Sequence, residues 1–170
     1  HPRRQLPGSR QRVTERRDNS TRTKARKRAL DILYESELRD RPSAETLAER
    51  IGLGPVRPFT IELVNGVIEH VDALDAVIEA SLTGGWTLDR MARVDRNLAR
   101  IALFEAVHTD TPAAVAIAEA VGLAGEFSTP ESPAFLNGVL SAAVQRAAAP
   151  APAPADQAEA DTMPGDPGTE

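Results

Sequence analysis

The chain has 170 residues, a formal net charge of −5 and no cysteine, which excludes a disulfide framework, a zinc finger and cysteine catalysis. No apolar run approaches the ~20 residues of a membrane span, and no apolar stretch follows the arginine-rich start as a secretory signal requires, so a cytoplasmic protein with no membrane segment is expected. The charge is split: residues 1–28 hold 11 of the 20 Lys and Arg against only Glu15 and Asp18, while the other 142 residues carry a net −14, which points to nucleic acid or an acidic partner surface, or to an arm that only aids solubility.

Residues 1–20 are polar and lack apolar periodicity, so they read as a disordered basic arm. From about 22 to 40, Ala25, Ala29, Ile32, Leu33 and Ser36 share one side of a helix. Leu30, Tyr34 and Leu38 make a second apolar face, so this helix is either central or meets a partner. Pro42-Ser43 ends it, and Ser43 opens a short helix through Ile51, closed by Gly52. Val64, Val67, Ile68, Val71, Leu74, Ile78 and Leu82 repeat at three and four over about 58–82, as one helix or as two bent at Asp72. Thr83-Gly84-Gly85 stops this stretch, Thr87 caps a short turn, and Asp95 starts a helix to about His108. Thr111-Pro112 and Ser132-Pro133 repeat one start signal, a hydroxyl cap before proline at the first helical position. They open helices at about 112–127 and 133–147. Residues 149–170 form a second tail, rich in Pro and Ala, with acids and no base, expected to be disordered; it is a spacer or folds back on the basic arm. No segment has a period of two. The fold class is all-α, a bundle of six or seven helices over about 21–148 between two tails.

Catalytic signatures are missing. His1, His70 and His108 are far apart in sequence and none has a neighbour at metal-ligand spacing. His70 and His108 stand near helix ends, where they suit C-terminal capping. There is no G-x-G-x-x-G, P-loop or G-x-S-x-G, and the carboxylates read as solvated helix faces. The expectation is a non-enzyme with no metal and no cofactor.

The stretch from Arg22 to Arg28 is the most informative. Arg22, Lys24, Arg26, Lys27 and Arg28 occupy five of seven positions before the helix turns apolar. Cations at a helix N-terminus oppose its dipole, at about 0.3–1 kcal/mol each. Either the charge is used, with phosphate as the natural counter-charge, or the helix starts late. A second cationic row, Arg93, Arg96 and Arg100, has an equal reading as surface ion pairs with Asp89 or Asp95. The six aromatics are Tyr34, Phe59, Trp86, Phe104, Phe127 and Phe135. Phe59 and Phe104 read as core, whereas Phe127 and Phe135 flank the loop from Ser128 to Pro133 and offer a partly exposed ring for base stacking.

Five blocks in order resemble the NusB family of bacterial transcription antitermination factors. They are Ala25-Arg26 leading to Ala29-Leu30-x-x-Leu33-Tyr34; Leu63-Val64-Asn65-Gly66-Val67; Val94-Asp95-Arg96-x-Leu98-x-Arg100 through Glu105; Pro112-x-x-Val115-Ala116-Ile117-x-Glu119-Ala120-Val121; and Ser132-Pro-x-Phe135-Leu136-Asn137-Gly138-Val139-Leu140. The resemblance spans about 22–147. It implies two three-helix halves packed together. It also implies binding of single-stranded boxA RNA in ribosomal RNA transcripts jointly with NusE, a small-subunit ribosomal protein, within an RNA polymerase antitermination complex. Carried over, the RNA-facing set is Arg22, Lys24, Arg26, Lys27, Arg28, Tyr34, Arg100, Phe127, Phe135 and Asn137, with Asp95 facing NusE. Some members self-associate through the RNA face, so a homodimer is implied as well. Gly125 stands where many relatives have Lys, which removes a phosphate contact beside Phe127. The alternative is a helical protein-interaction module without specific RNA binding. Replacing Arg26 and Lys27 together by Ala is expected to weaken RNA binding without unfolding the chain.

Overall fold

The computed structural model describes the backbone of residues 9–149 and the side chains of residues 19–149; the expected disorder of residues 1–8 and of the tail from 150 lies outside these described residues. Among the described residues there are six helices: α1 (Ser9–Leu38), α2 (Ser43–Leu53), α3 (Pro58–Ser81), α4 (Arg93–His108), α5 (Ala113–Phe127) and α6 (Ser132–Ala148), with one 3-10 turn at Leu88–Arg90. Helices α1 to α3 pack on one another, as do α4 to α6. The two triplets join through α3 on α4 and α6 and through α1 on α4.

Helix α4 is the central element, because its sequence allows burial nearly all round. Leu98, Ala99, Ile101, Ala102, Leu103 and Phe104 are all buried, and small Ala99 and Ala102 let neighbouring helices approach. Helix α1 buries Ala25, Ala29, Ile32 and Leu33, and Leu30 of its second face is buried too, while Leu38 stays exposed. Helix α3 runs unbroken through Asp72. It ends at a turn in which Gly84 (φ 66°) and Gly85 (φ 77°) are both left-handed, a conformation nearly free for glycine and costly for other residues.

Several boundaries differ from expectation. Helix α1 starts at Ser9, inside the segment expected to lack order. Arg, Gln and Glu are good helix formers, and a helix already anchored by packing propagates cheaply into such residues. The cations at 22–28 therefore lie mid-helix, beyond reach of the terminal dipole, and the dipole cost argued from sequence does not arise. Helix α2 continues through Gly52 to Leu53. Pro112 stands in the cap position before α5, and no side chain caps that helix. Ser132 does open α6, but its hydroxyl donates to Asp95 Oδ2 at 2.8 Å and no side-chain oxygen accepts from an amide of the first turn.

One glycine is dictated by a close approach. A Cβ on Gly66 of α3 would fall inside the ring of Phe104 on α4. Gly66→Ala is expected to destabilise the fold by about 1–3 kcal/mol, the usual cost of overpacking, read as a lower urea midpoint with an unchanged slope.

Candidate nucleic-acid interface

Within the basic segment of α1, the five cations have different fates. Arg26 lies on the arc between Ala25, Ala29 and Leu30 and is 3 % exposed. Its Nε donates to both carboxylate oxygens of Glu105 on α4, at 3.1 and 2.9 Å, and its Nη2 closes a second bond to the same group. Glu105 itself is fully buried. Glu119 of α5 lies 3.5 Å from Arg26 Nη1 and accepts from the Thr23 hydroxyl at 3.0 and 3.1 Å. This cluster ties α1 to α4 and α5. Arg26 is thus corrected from an RNA contact to an internal ion pair, because its donors are consumed away from solvent. The paired Arg26 and Lys27 replacement would strand Glu105 and unfold the chain, contrary to the expectation.

The other four cations remain at the surface. Arg22 is exposed, with its guanidinium 4.9 Å from the Phe59 ring centre at the start of α3. Lys24 and Arg28, one turn apart, are exposed and, among the described residues, have no hydrogen-bond or ion-pair partner. Lys27 is half-buried; its Nζ sits 4.7 Å over the Phe127 ring and 3.5 Å from Glu126 at the end of α5. Phe127 is 41 % exposed, so it presents a ring to solvent with a cation against it. Tyr34, two turns beyond Lys27 on the same side of α1, is half-buried. Lys24, Lys27, Arg28 and Tyr34 share one side of α1, with Phe127 against Lys27 and the exposed carboxylates of Asp31 and Glu126 among them.

Arg100 is not part of it. Its guanidinium donates to Asp75 at 2.7 and 2.9 Å and to Glu37 at 2.9 Å. Burial lowers its pKa, but Asp75 and Glu37 outweigh that and the net shift is upward. Arg96 and Arg93 reach the same Glu37, at 2.7 and 3.4 Å. The second cationic row is therefore an ion-pair network, with Glu37 and Asp75 as partners in place of Asp89 or Asp95. Glu37 lies eleven residues beyond Arg26, about 16 Å along α1. Arg100 is corrected to a structural clamp between α1, α3 and α4.

Asp95 is corrected as well. It is 5 % exposed, and its two oxygens accept from Ser128 Oγ at 2.6 Å and Ser132 Oγ at 2.8 Å. The carboxylate pins the α5–α6 loop, with both of its oxygens engaged within the chain. Asn137 is exposed on α6. Phe135 is half-buried against the core, with its ring centre 5.3 Å from that of Trp86. The sequence reading missed this pairing, since Trp86 lies in a linker 49 residues upstream. It also missed Glu105 and Glu119 as partners of Arg26.

His108 is the last residue of α4, as expected, whereas His70 lies midway along α3 and not at a helix end; their rings stack 4.0 Å apart beside Phe104. Burial and the neighbouring His70 hold the His108 pKa below its usual value. Among the described residues no group of three His, Cys, Asp or Glu is placed to hold a metal ion, and no helix is long and apolar enough to cross a membrane. What the α1 face can do is bind a polyanion: free cations meet phosphates, and the Phe127 ring offers a stacking surface.

Comparison with known proteins identifies the family. The model of the NusB family matches residues 23–145. A transcription antitermination protein NusB of Cutibacterium acnes is 52 % identical over 134 residues, covering 78 % of this chain; the chain spans 51 % of that protein's length. The NusB of Salinispora arenicola is 54 % identical over 125 residues, covering 70 % of this chain and 91 % of its own. Among solved structures, T. maritima NusB superposes with a TM-score of 0.65 at 28 % identity, over 73 % of this chain and 90 % of that one. A chain from the complex of antitermination factors NusB and NusE with double-stranded RNA gives 0.64 at 26 %, over 74 % and 96 %. The helical architecture, the order of its blocks and these matches lead to one conclusion: the chain belongs to the NusB family.

Proposed function

We propose that the chain is an RNA-binding transcription antitermination factor without catalysis of its own. It takes single-stranded boxA RNA of ribosomal RNA transcripts together with NusE and acts in the cytoplasm on elongating RNA polymerase. The observation that carries this reading is the exposed pair Lys24 and Arg28, unpaired among the described residues, beside the Lys27–Phe127 contact. Free cations on a helix face contact a sugar-phosphate backbone, while an exposed ring takes an unstacked base. Arg22, Tyr34 and Asn137 extend this surface, and a homodimer formed through the same face would compete with RNA. Relatives in the family are named as antitermination proteins, and one similar structure holds NusE and RNA.

A protein-interaction module without RNA is the second reading, favoured by Leu38, Ile51 and Leu53, which stand exposed near the α1–α2 corner. Fluorescence anisotropy of a labelled boxA RNA, with and without NusE and against a scrambled RNA of equal length, separates the two. The expected result is tighter binding of boxA RNA, strengthened by NusE. Equal binding of both RNAs leaves only nonspecific electrostatics and contradicts the proposal.

A further inference from the structure

Trp86, Phe135 and Arg90 surround a hollow of about 310 Å³ between the linker after α3 and the start of α6. Its floor is Met91, Ala92 and the Asp95–Ser132 pair, with Thr129 and Glu131 at its side. Trp86 is 47 % exposed, and its ring is tilted 47° against that of Phe135. The Arg90 guanidinium lies 5.8 Å from the Trp86 ring centre.

We propose that this hollow holds one unstacked nucleobase, with Trp86 as its stacking platform. This rests on the RNA-binding reading above and extends the path of the strand. Three observations favour a base as the occupant. The hollow is bordered by the loop that leaves exposed Phe127 and runs through Ser128 to Ser132, pinned in place by Asp95. A phosphate is disfavoured inside, because Glu131 borders the hollow and Asp95 lies at its floor, whereas a neutral planar ring suits two aromatic walls. Arg90 is exposed at the edge, where the phosphate flanking a bound base would lie. Trp86 adds a cation–π partner to that corner before RNA arrives, so the platform is held ready.

Trp86 is the single tryptophan of the chain, so its emission reports on this place alone. A single-stranded RNA that binds by anisotropy is expected to quench Trp86 with the same midpoint, and the same sequence as a duplex is not, because its bases stay stacked. Trp86→Ala should weaken single-strand binding about 5- to 150-fold, the usual worth of one base on one ring. Trp86→Phe should restore most of that loss. Circular dichroism melts of both variants should match the parent chain, since Trp86 is already half exposed. If RNA binds by anisotropy while Trp86 emission stays constant and Trp86→Ala binds as tightly as the parent, the base platform is wrong and the RNA reading stands. If no RNA binds the parent chain at all, both fail together.

Discussion

Replacing Glu105 by glutamine is expected to lower folding stability by about 3–5 kcal/mol, the usual consequence of removing one member of a buried ion pair. The carboxylate is wholly buried and takes three contacts from Arg26. Without its charge, the Arg26 guanidinium is left in a dry site with a neutral amide oxygen, the 3.5 Å approach of Glu119 and the face of Phe59 as compensation. Such a loss is a large share of the ~5–15 kcal/mol that holds a typical domain together. Because the cluster joins α1, α4 and α5, the chain should unfold earlier as a whole in urea, with an unchanged slope. Removing both charges at once, as Arg26→Met with Glu105→Leu, should recover most of the loss, because apolar groups of similar volume carry no desolvation penalty. A Glu105→Gln variant as stable as the parent would mean that Arg26 finds water or another partner.

Reversing Lys24 and Arg28 to Glu should have the opposite profile, a large loss of RNA affinity with little change in stability. Both side chains are exposed and, among the described residues, unpaired, and surface substitutions of this kind usually stay within about 0.5 kcal/mol. A charge-assisted contact contributes on the order of 1.5–3 kcal/mol, so losing two should weaken RNA binding on the order of a hundredfold or more. Anisotropy titration and a thermal melt of the same sample check the two halves of this expectation.

The contrast between Arg26 and its neighbours shows where sequence reading stops. Helical period and capping signals located all six helices, because apolar spacing is a local property of the chain. Burial of a charge is decided by what a distant helix brings. Arg26 reads as one of five cations in a run, yet on the helical wheel it falls between Leu33 and Leu30, both buried, which was the local clue to its burial. Its partner is 79 residues away, on a helix whose central place follows only from packing. Asp95 looked like a helix-start acid free for a partner, but the loop after α5 brings Ser128 and Ser132 onto it. Arg100 looked like part of a basic stripe, and Glu37 and Asp75 come from two other helices to neutralise it. Lys24, Lys27, Arg28 and Phe127 were legible, because the apolar pattern already turned the three cations outward and placed the ring at a helix end. The Trp86–Phe135 contact left no signal in either segment.

The most direct test of the central claim is the salt dependence of RNA binding for the parent chain and for Lys24→Ala with Arg28→Ala. Each phosphate neutralised on a single strand contributes about −0.7 to the slope of log affinity against log salt. If both cations hold the backbone, the slope of the variant should be shallower by about 1.4, with the melting curve unchanged. An identical slope for the two proteins would show that the open row on the first helix does not touch the nucleic acid.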